Sequence, residues 1–335
     1  VANMIRELDG EGVKKIIVTT DDPGRYPGGR VGTAEVWHRD RLIDAEKRLA
    51  SLQGVTVLLH DQQCATETRR LRKRGKLEPM LLRAHINERV CEGCGDCGRK
   101  SNCLSVQPVV TEFGRKTRIH QSSCNQDLSC MLGDCPSFMT VEMSGGGTGT
   151  SDFVPTPFPR GIEPPEPVLV VPSREFSICL MGIGGTGVVT VNQILGTAAF
   201  MSGMRVQTYD HTGSSQKAGA VVSHLRVLAD ARGGSVTVPT RGADLYLAFD
   251  ALVAVSPGNT MLASDQRTIA VVSTSVVPTG EMVANKSKLY PPLQQLKNVI
   301  GAVSRKELSV YFDAQDLAER LLGDHLVSNL FLVGV

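Results

Sequence analysis

The stretch FSICLMGIGGTGVVTVNQILGTAAFMS, residues 176–202, decides the fold of the C-terminal half. Residues 176–181 are a short, mostly apolar run and read as a buried strand. Residues 182–187 are a tight loop, and 188–202 continue as a helix. Gly182, Gly184, Gly185 and Gly187 satisfy the G-x-G-x-x-G pattern, in which the backbone approaches a pyrophosphate at a helix N-terminus. Asp210 falls near the end of the following strand, at about the offset of a ribose-binding acid. The plainer reading is that the glycines only permit a sharp strand-to-helix turn, and a pattern this short leaves both open. Asp210, His211 and Lys217 share a polar stretch of the kind that is usually solvated. Further strands at 205–209, 220–227, 245–249, 268–273 and 310–313 make residues 174–335 an α/β domain.

Toward the N-terminus, residues 144–173 run from glycine-rich to proline-rich, the composition of a linker. Before it, residues 89–143 lack long periodicity but hold seven of the nine cysteines, so metal is expected to organise them. An odd cysteine count in a long chain disfavours a disulfide framework and points to a reducing, cytoplasmic compartment. The first half is Cys91-x2-Cys94-x2-Cys97-x5-Cys103, with Gly93, Gly95 and Gly98 giving the loop freedom to turn three sulfurs inward. The second is Cys124-x2-Asp127-x2-Cys130-x4-Cys135-Pro136, the same pattern with Asp at the second position and a longer final gap than the bacterial ferredoxin run.

In that pattern the fourth cysteine of each half serves the other cluster. One [4Fe-4S] cluster is therefore expected on Cys91, Cys94, Cys97 and Cys135, and a second on Cys124, Cys130, Cys103 and Asp127. A carboxylate is the harder ligand, so the second should lose iron more easily or be absent. A zinc site would instead use two cysteine pairs a dozen or more residues apart. His85 and His120 read as ordinary surface or packing residues, and Cys64 and Cys179 as buried small apolar ones.

Residues 1–88 are a third α/β piece. A strand at 14–20, a helical stripe at 39–52 and a strand at 55–59 suggest the end of a parallel sheet. A basic run follows, Arg69-Arg70-Leu71-Arg72-Lys73-Arg74-Gly75-Lys76, which reads as a solvated helix face or as a docking surface for an acidic partner. Few aromatic residues accompany it, which argues against nucleic acid. The 335 residues exceed one core and are 41% hydrophobic, ordinary for globular protein, while a net charge of +2 implies no special partner. No run of eighteen apolar residues and no signal sequence is present, so no membrane segment is expected. A start without Met and an end on LFLVGV suggest a piece of a longer polypeptide.

Three segments together carry a resemblance: residues 91–138, the loop and helix at 181–203, and DHTGSSQKAGAVVSHLRV at 210–227. They resemble the fused bacterial indolepyruvate:ferredoxin oxidoreductases, of the thiamine-diphosphate-dependent 2-oxoacid:ferredoxin oxidoreductase family. The resemblance implies three parts. Residues 1–88 would close a thiamine-diphosphate-type parallel-sheet domain, residues 89–143 would be a ferredoxin-like insert, and residues 174–335 an incomplete Rossmann-like gamma-type catalytic domain. The implied reaction is oxidative decarboxylation of an aryl 2-oxo acid to an acyl-coenzyme A. Electrons would leave through the [4Fe-4S] clusters to ferredoxin. Thiamine diphosphate and Mg2+ would be held mainly by residues outside this chain, which alone would be inactive, and a homo-oligomer is expected. A nicotinamide role for the loop at Gly182 recedes, leaving contact with a phosphate-bearing ligand there. An NAD(P)-linked electron-transfer subunit and a zinc-binding interaction module are the competing readings.

Overall fold

The structure is a computed structural model and describes residues 1–143, 163, 166, 175–213, 219–229, 234–285 and 287–335. Most of the expected linker at 144–173, and Lys217, lie outside the described residues. The chain divides into two units, Val1–Pro79 and Met80–Val335.

The first unit contains α1 (Ala2–Gly10), β1 (Lys15–Thr20), β2 (Arg30–Val31), β3 (Ala34–His38), α2 (Leu42–Ala50), β4 (Thr56–His60) and α3 (Ala65–Lys73). Strand β1 is central, paired in parallel with β3 on one side and β4 on the other. It is buried almost throughout because both faces are covered: Ile16 and Val18 pack with Ile5 and Val36, and Ile17 packs with Ala45 and Leu49 of α2. Strand β3 escapes a sequence reading, since AEVWH mixes a charge and a histidine into five residues.

The second unit opens with β5 (Leu82–Ile86), α4 (Asp96–Ser101), the hairpin β6 (Val106–Thr111) and β7 (Gly114–Ile119), and β8 (Phe138–Glu142). Strand β5 pairs antiparallel with β8, and so closes the cysteine segment from both ends. The boundary expected at 88 therefore falls at 79–80, because Leu82–Ile86 needs β8 as its hydrogen-bonding partner.

The remainder is β9 (Phe176–Ile183), α5 (Val188–Met201), β10 (Arg205–Thr212), β11 (Ala220–Leu228), β12 (Leu245–Ala248), α6 (Ala251–Ala254), α7 (Pro257–Thr260), β13 (Ile269–Ser273), α8 (Gly280–Ala284), α9 (Leu293–Ala302), β14 (Val310–Phe312), α10 (Ala314–Leu322) and α11 (Ser328–Val333). Its six-stranded sheet runs β10-β11-β9-β12-β13-β14. Alternate residues of β9 face opposite layers. Cys179 and Met181 join the α6 and α9 side, and Ile178 and Leu180 the α5, α10 and α11 side. Full burial of a side chain such as Leu180 is worth roughly 1.5–3 kcal/mol. Asp244, 2% exposed, ties β9 to the start of β13: it accepts from the Ser177 N–H and takes both arms of the Arg267 guanidinium.

The sheet departs from the Rossmann-like expectation at one point. Strand β10, which follows α5, does not lie beside β9; β11 runs antiparallel between them. A dinucleotide-binding βαβ unit places its two parallel strands side by side.

Candidate iron–sulfur site

Cys91 follows β5 in a turn whose Cys91 N–H bonds Asn87 O. Gly93 and Gly95 have φ of 63° and 79°, left-handed values that the tight loop requires. Gly98 has no such value; its lack of a side chain serves packing, with Val283 of α8 where a Cβ would be. The freedom expected of all three glycines thus belongs to two. Cys97 sits on α4, and Cys135 follows the short helical turn at Ser129–Met131.

Cys91, Cys94, Cys97, Cys130 and Cys135 line one cavity of about 370 Å³, with Ile86, Thr117 and Phe138 in its wall. Burial pushes the Cys97 thiol up to about 11, and the neighbouring Cys91, Cys94 and Cys135 add to the rise. A second group forms alongside. Burial raises Cys130 to about 12, helped by Cys124, Cys103 and Asp127. Burial also raises Cys124, where Cys103 and Asp127 push the same way and Arg83 opposes. Cys135 thus lies with the first three cysteines, and Cys103 with Cys124 and Cys130. Asp127 is oriented by Ser129, whose N–H and hydroxyl both donate to its Oδ1.

The donor set fits a cluster. Five free thiols, Cys91, Cys97, Cys103, Cys124 and Cys130, converge on an apolar core of Ala84, Ile86, Val106, Ile119 and Val283, where charge is tolerated only when compensated. Among the described residues no three His, Cys, Asp or Glu side chains close on a point that would hold a single ion. The cavity is many times the space one water needs. Donors to sulfur are present too: Gly93 N–H to Cys91 Sγ at 3.3 Å, Gln126 N–H to Cys124 Sγ at 3.4 Å, and Ser137 Oγ 2.9 Å from Cys135 Sγ. Hydrogen bonds to sulfur are one of the features that set a cluster's potential.

Other residues named from the sequence have plainer places. His85 is exposed. His120 reaches Glu319 of α10 with Nε2 at 3.0 Å and stacks edge-on with His325. Cys179 is buried as expected, but Cys64 is exposed: it precedes α3, a helix with no buried residue, so no core surrounds it.

At the glycine loop, β9 extends through Gly182 and Ile183, which pair with Val221 and Ala220. The Gly184 N–H donates to Gly219 O. A side chain at Gly182 would meet Val188 Cγ2 at 2.7 Å, so this glycine serves close helix–strand packing. Gly185 and Gly187 have φ of 87° and 100°, and Gly187 caps α5. Asn329 of α11 donates to Thr186 O at 3.0 Å, covering the loop from above. Asp210 accepts from Asn192 and from Ser223 and is committed to its own sheet. His211 is exposed.

Asp250, which sequence reading passed over, follows β12 and caps the N-terminus of α6 beside this loop. It is 3% exposed, its Oδ1 accepts from the Val253 N–H at 2.8 Å, and its Oδ2 has no partner. With Thr186, His325 and Asn329 it lines a cavity of about 10 Å³, room for about one water. Burial pushes its carboxyl from 3.8 up to about 6 against two backbone N–H groups. The unfolded chain therefore ionises first. The penalty is absent below about pH 4, grows as pH rises toward 6, and reaches at most roughly 3 kcal/mol above it. Asp250→Asn should abolish that slope. Urea midpoints at about pH 4.5 and about pH 7.5 check it: the variant's gain on wild type should be clearly larger at the higher pH, and an equal difference at both refutes the assignment.

Residues 177–335 match the family model of pyruvate ferredoxin/flavodoxin oxidoreductase. The match covers a little under half of the chain. The match begins after the cysteine segment, which the family model does not reach. The indolepyruvate oxidoreductase subunit IorB of Pyrococcus horikoshii is 28% identical over 162 residues, 48% of this chain and 76% of the relative. That of Archaeoglobus fulgidus is 27% identical over 159 residues, 48% and 74%. A solved structure, pyruvate oxidoreductase subunit PORC of Thermotoga maritima, is 19% identical over 48% of this chain and 74% of its own, with a TM-score of 0.35. No helix among the described residues is long and apolar enough to cross a membrane.

Proposed function

We propose that this chain is part of an indolepyruvate:ferredoxin oxidoreductase and that residues 91–135 are its internal electron relay. The observation that carries the reading is the division of the thiols into two groups, Cys91, Cys94, Cys97 and Cys135 against Cys103, Cys124 and Cys130 with Asp127, in the unit that also holds the oxidoreductase domain. When bound, iron–sulfur clusters accept single electrons at low potential, which suits oxidation of a 2-oxo acid after decarboxylation. The chain's own contribution is to bury or half-bury every thiol of the set but the exposed Cys94, supply N–H and hydroxyl donors to sulfur, and exclude water with Ile86, Val106 and Phe138.

In this reading an aryl 2-oxo acid and coenzyme A are the substrates, ferredoxin is the acceptor, and the assembly is a cytoplasmic homo-oligomer. Residues 1–79 belong to the thiamine-diphosphate part, with that cofactor and Mg2+ held mainly elsewhere. The backbone at Gly185 and Gly187 is the remaining place for a phosphate-bearing ligand. The alternative, a dinucleotide at this loop, is disfavoured by the antiparallel β11 and by the commitment of Asp210 to Asn192 and Ser223.

The test is anaerobic reconstitution of the full chain. Roughly eight irons per chain, from two four-iron clusters, and a brown protein are expected. A colourless zinc protein refutes the relay, and rapid bleaching of the clusters by NADH establishes the alternative instead.

A further inference from the structure

The loop that carries the first three cysteines is not free-standing. Helix α8, which lies almost two hundred residues later in the chain, is packed against it. A Cβ on Gly95 would strike Ala284 O, and one on Gly98 would lie 2.5 Å from Val283 Cγ1. Val283 is 7% exposed and shares an apolar cluster with Cys91 and Cys130, with Cys97, Cys103 and Cys124 at its margin. Arg115 of β7 fastens the same, C-terminal, end of α8. Its guanidinium donates to Met282 O, and to Asn285 O and Lys288 O at 3.3 Å each. The carbonyl of the same Arg115 abuts Gly93, between Cys91 and Cys94. Arg99, on α4 with Cys97, donates to Ala284 O at 3.3 Å.

We propose that α8 of the oxidoreductase domain is a template that holds the Cys91–Cys97 loop in its ligand-ready shape. Gly95, Gly98, Arg115 and Val283 act as positioning residues for the first cluster. Metal alone does not then organise the segment. The backbone has an apolar and hydrogen-bonded scaffold before any iron arrives, and the loop need not be ordered at the expense of metal affinity. A thiol loop held this way also resists the opening through which iron is lost, because opening must break the Arg115 and Arg99 bonds to α8. The inference rests on the proposed cluster site and extends it, by making the site a product of two segments distant in sequence.

The test follows release of iron from the full-length, anaerobically reconstituted chain to a ferrous chelator, with EPR distinguishing the two clusters. Gly98→Ala places a methyl group against Val283 and should speed loss of the first cluster at least tenfold, leaving the second within about twofold, since its ligands do not touch α8 through Gly98. Gly98→Ala combined with Val283→Ala returns the space and should restore most of the wild-type retention. Arg115→Met should accelerate the same cluster. Wild-type release from Gly98→Ala overturns the template, as does failure of the double variant to recover, or equal acceleration of both clusters. A wild-type chain that takes up no iron overturns the cluster reading as well, which separates the two failures.

Discussion

Replacing Cys135 by Ser is expected to erase the same EPR signal as replacing Cys97, and replacing Cys103 the same signal as replacing Cys124. Each change should remove roughly four irons per chain. The pairing runs against sequence order: Cys103 lies six residues after Cys97, whereas Cys135 lies thirty-eight residues after it. Yet Cys135 lines the cavity of Cys91, Cys94 and Cys97, and Cys103 is the thiol felt by Cys124 and Cys130. The effect is large because a cubane that loses one of its four protein ligands in a buried site gains no substitute from solvent. Ser is the right probe, since its volume keeps the apolar surroundings of Ile86 and Phe138 intact while its hydroxyl is a poor ligand for iron. Signals grouped by sequence order, with Cys103 following Cys97, would refute the crossed arrangement. Loss of both signals from any single change would show that the two groups are one site.

The parts of this chain that sequence reading reached are those governed by local rules. The strand at 176–181 is legible because a sheet covered on both faces needs a continuous apolar run, and the helix at 188–202 because a glycine loop introduces it. Cysteine spacing is likewise local: three thiols two residues apart can turn inward only around glycines such as Gly93 and Gly95. What stayed hidden depends on partners far along the chain. Gly98 looks like the other two glycines in sequence, and only Val283, 185 residues later, explains it. Strand β5 looked like the tail of the first domain until β8 provided its hydrogen bonds. The antiparallel β11, inserted between β9 and β10, is a choice of pairing that no motif at residues 182–187 encodes. Asp250 is one acid among many in the sequence; its burial and its unpartnered oxygen come from the surrounding Ile183, Phe249 and Asn329.

Asp127→Cys should make the second cluster resist oxygen, while wild type should lose roughly one iron per chain on brief exposure to air, from the corner that a hard carboxylate holds weakly. Asp127 stands where the first half has Cys94, and its carboxylate is near enough to Cys124 and Cys130 to act on both. Its Oδ1 is already held by the Ser129 N–H and hydroxyl, so at most one oxygen remains for iron. A thiolate at this position is the softer ligand and has no such competing bonds. The short stretch from Leu128, with φ of 56°, through the turn at Ser129–Met131 already has the backbone that the loop needs. The side-chain change should therefore fit without refolding. Iron counted before and after air, together with EPR of the oxidised protein, decides the matter. Equal iron loss from wild type and variant would show that position 127 is not a ligand, and Asp127→Ala should then behave as wild type too. If Asp127 is the fourth ligand, Asp127→Ala should start at about four irons rather than eight, as for loss of any other ligand, and Asp127→Cys should keep all eight.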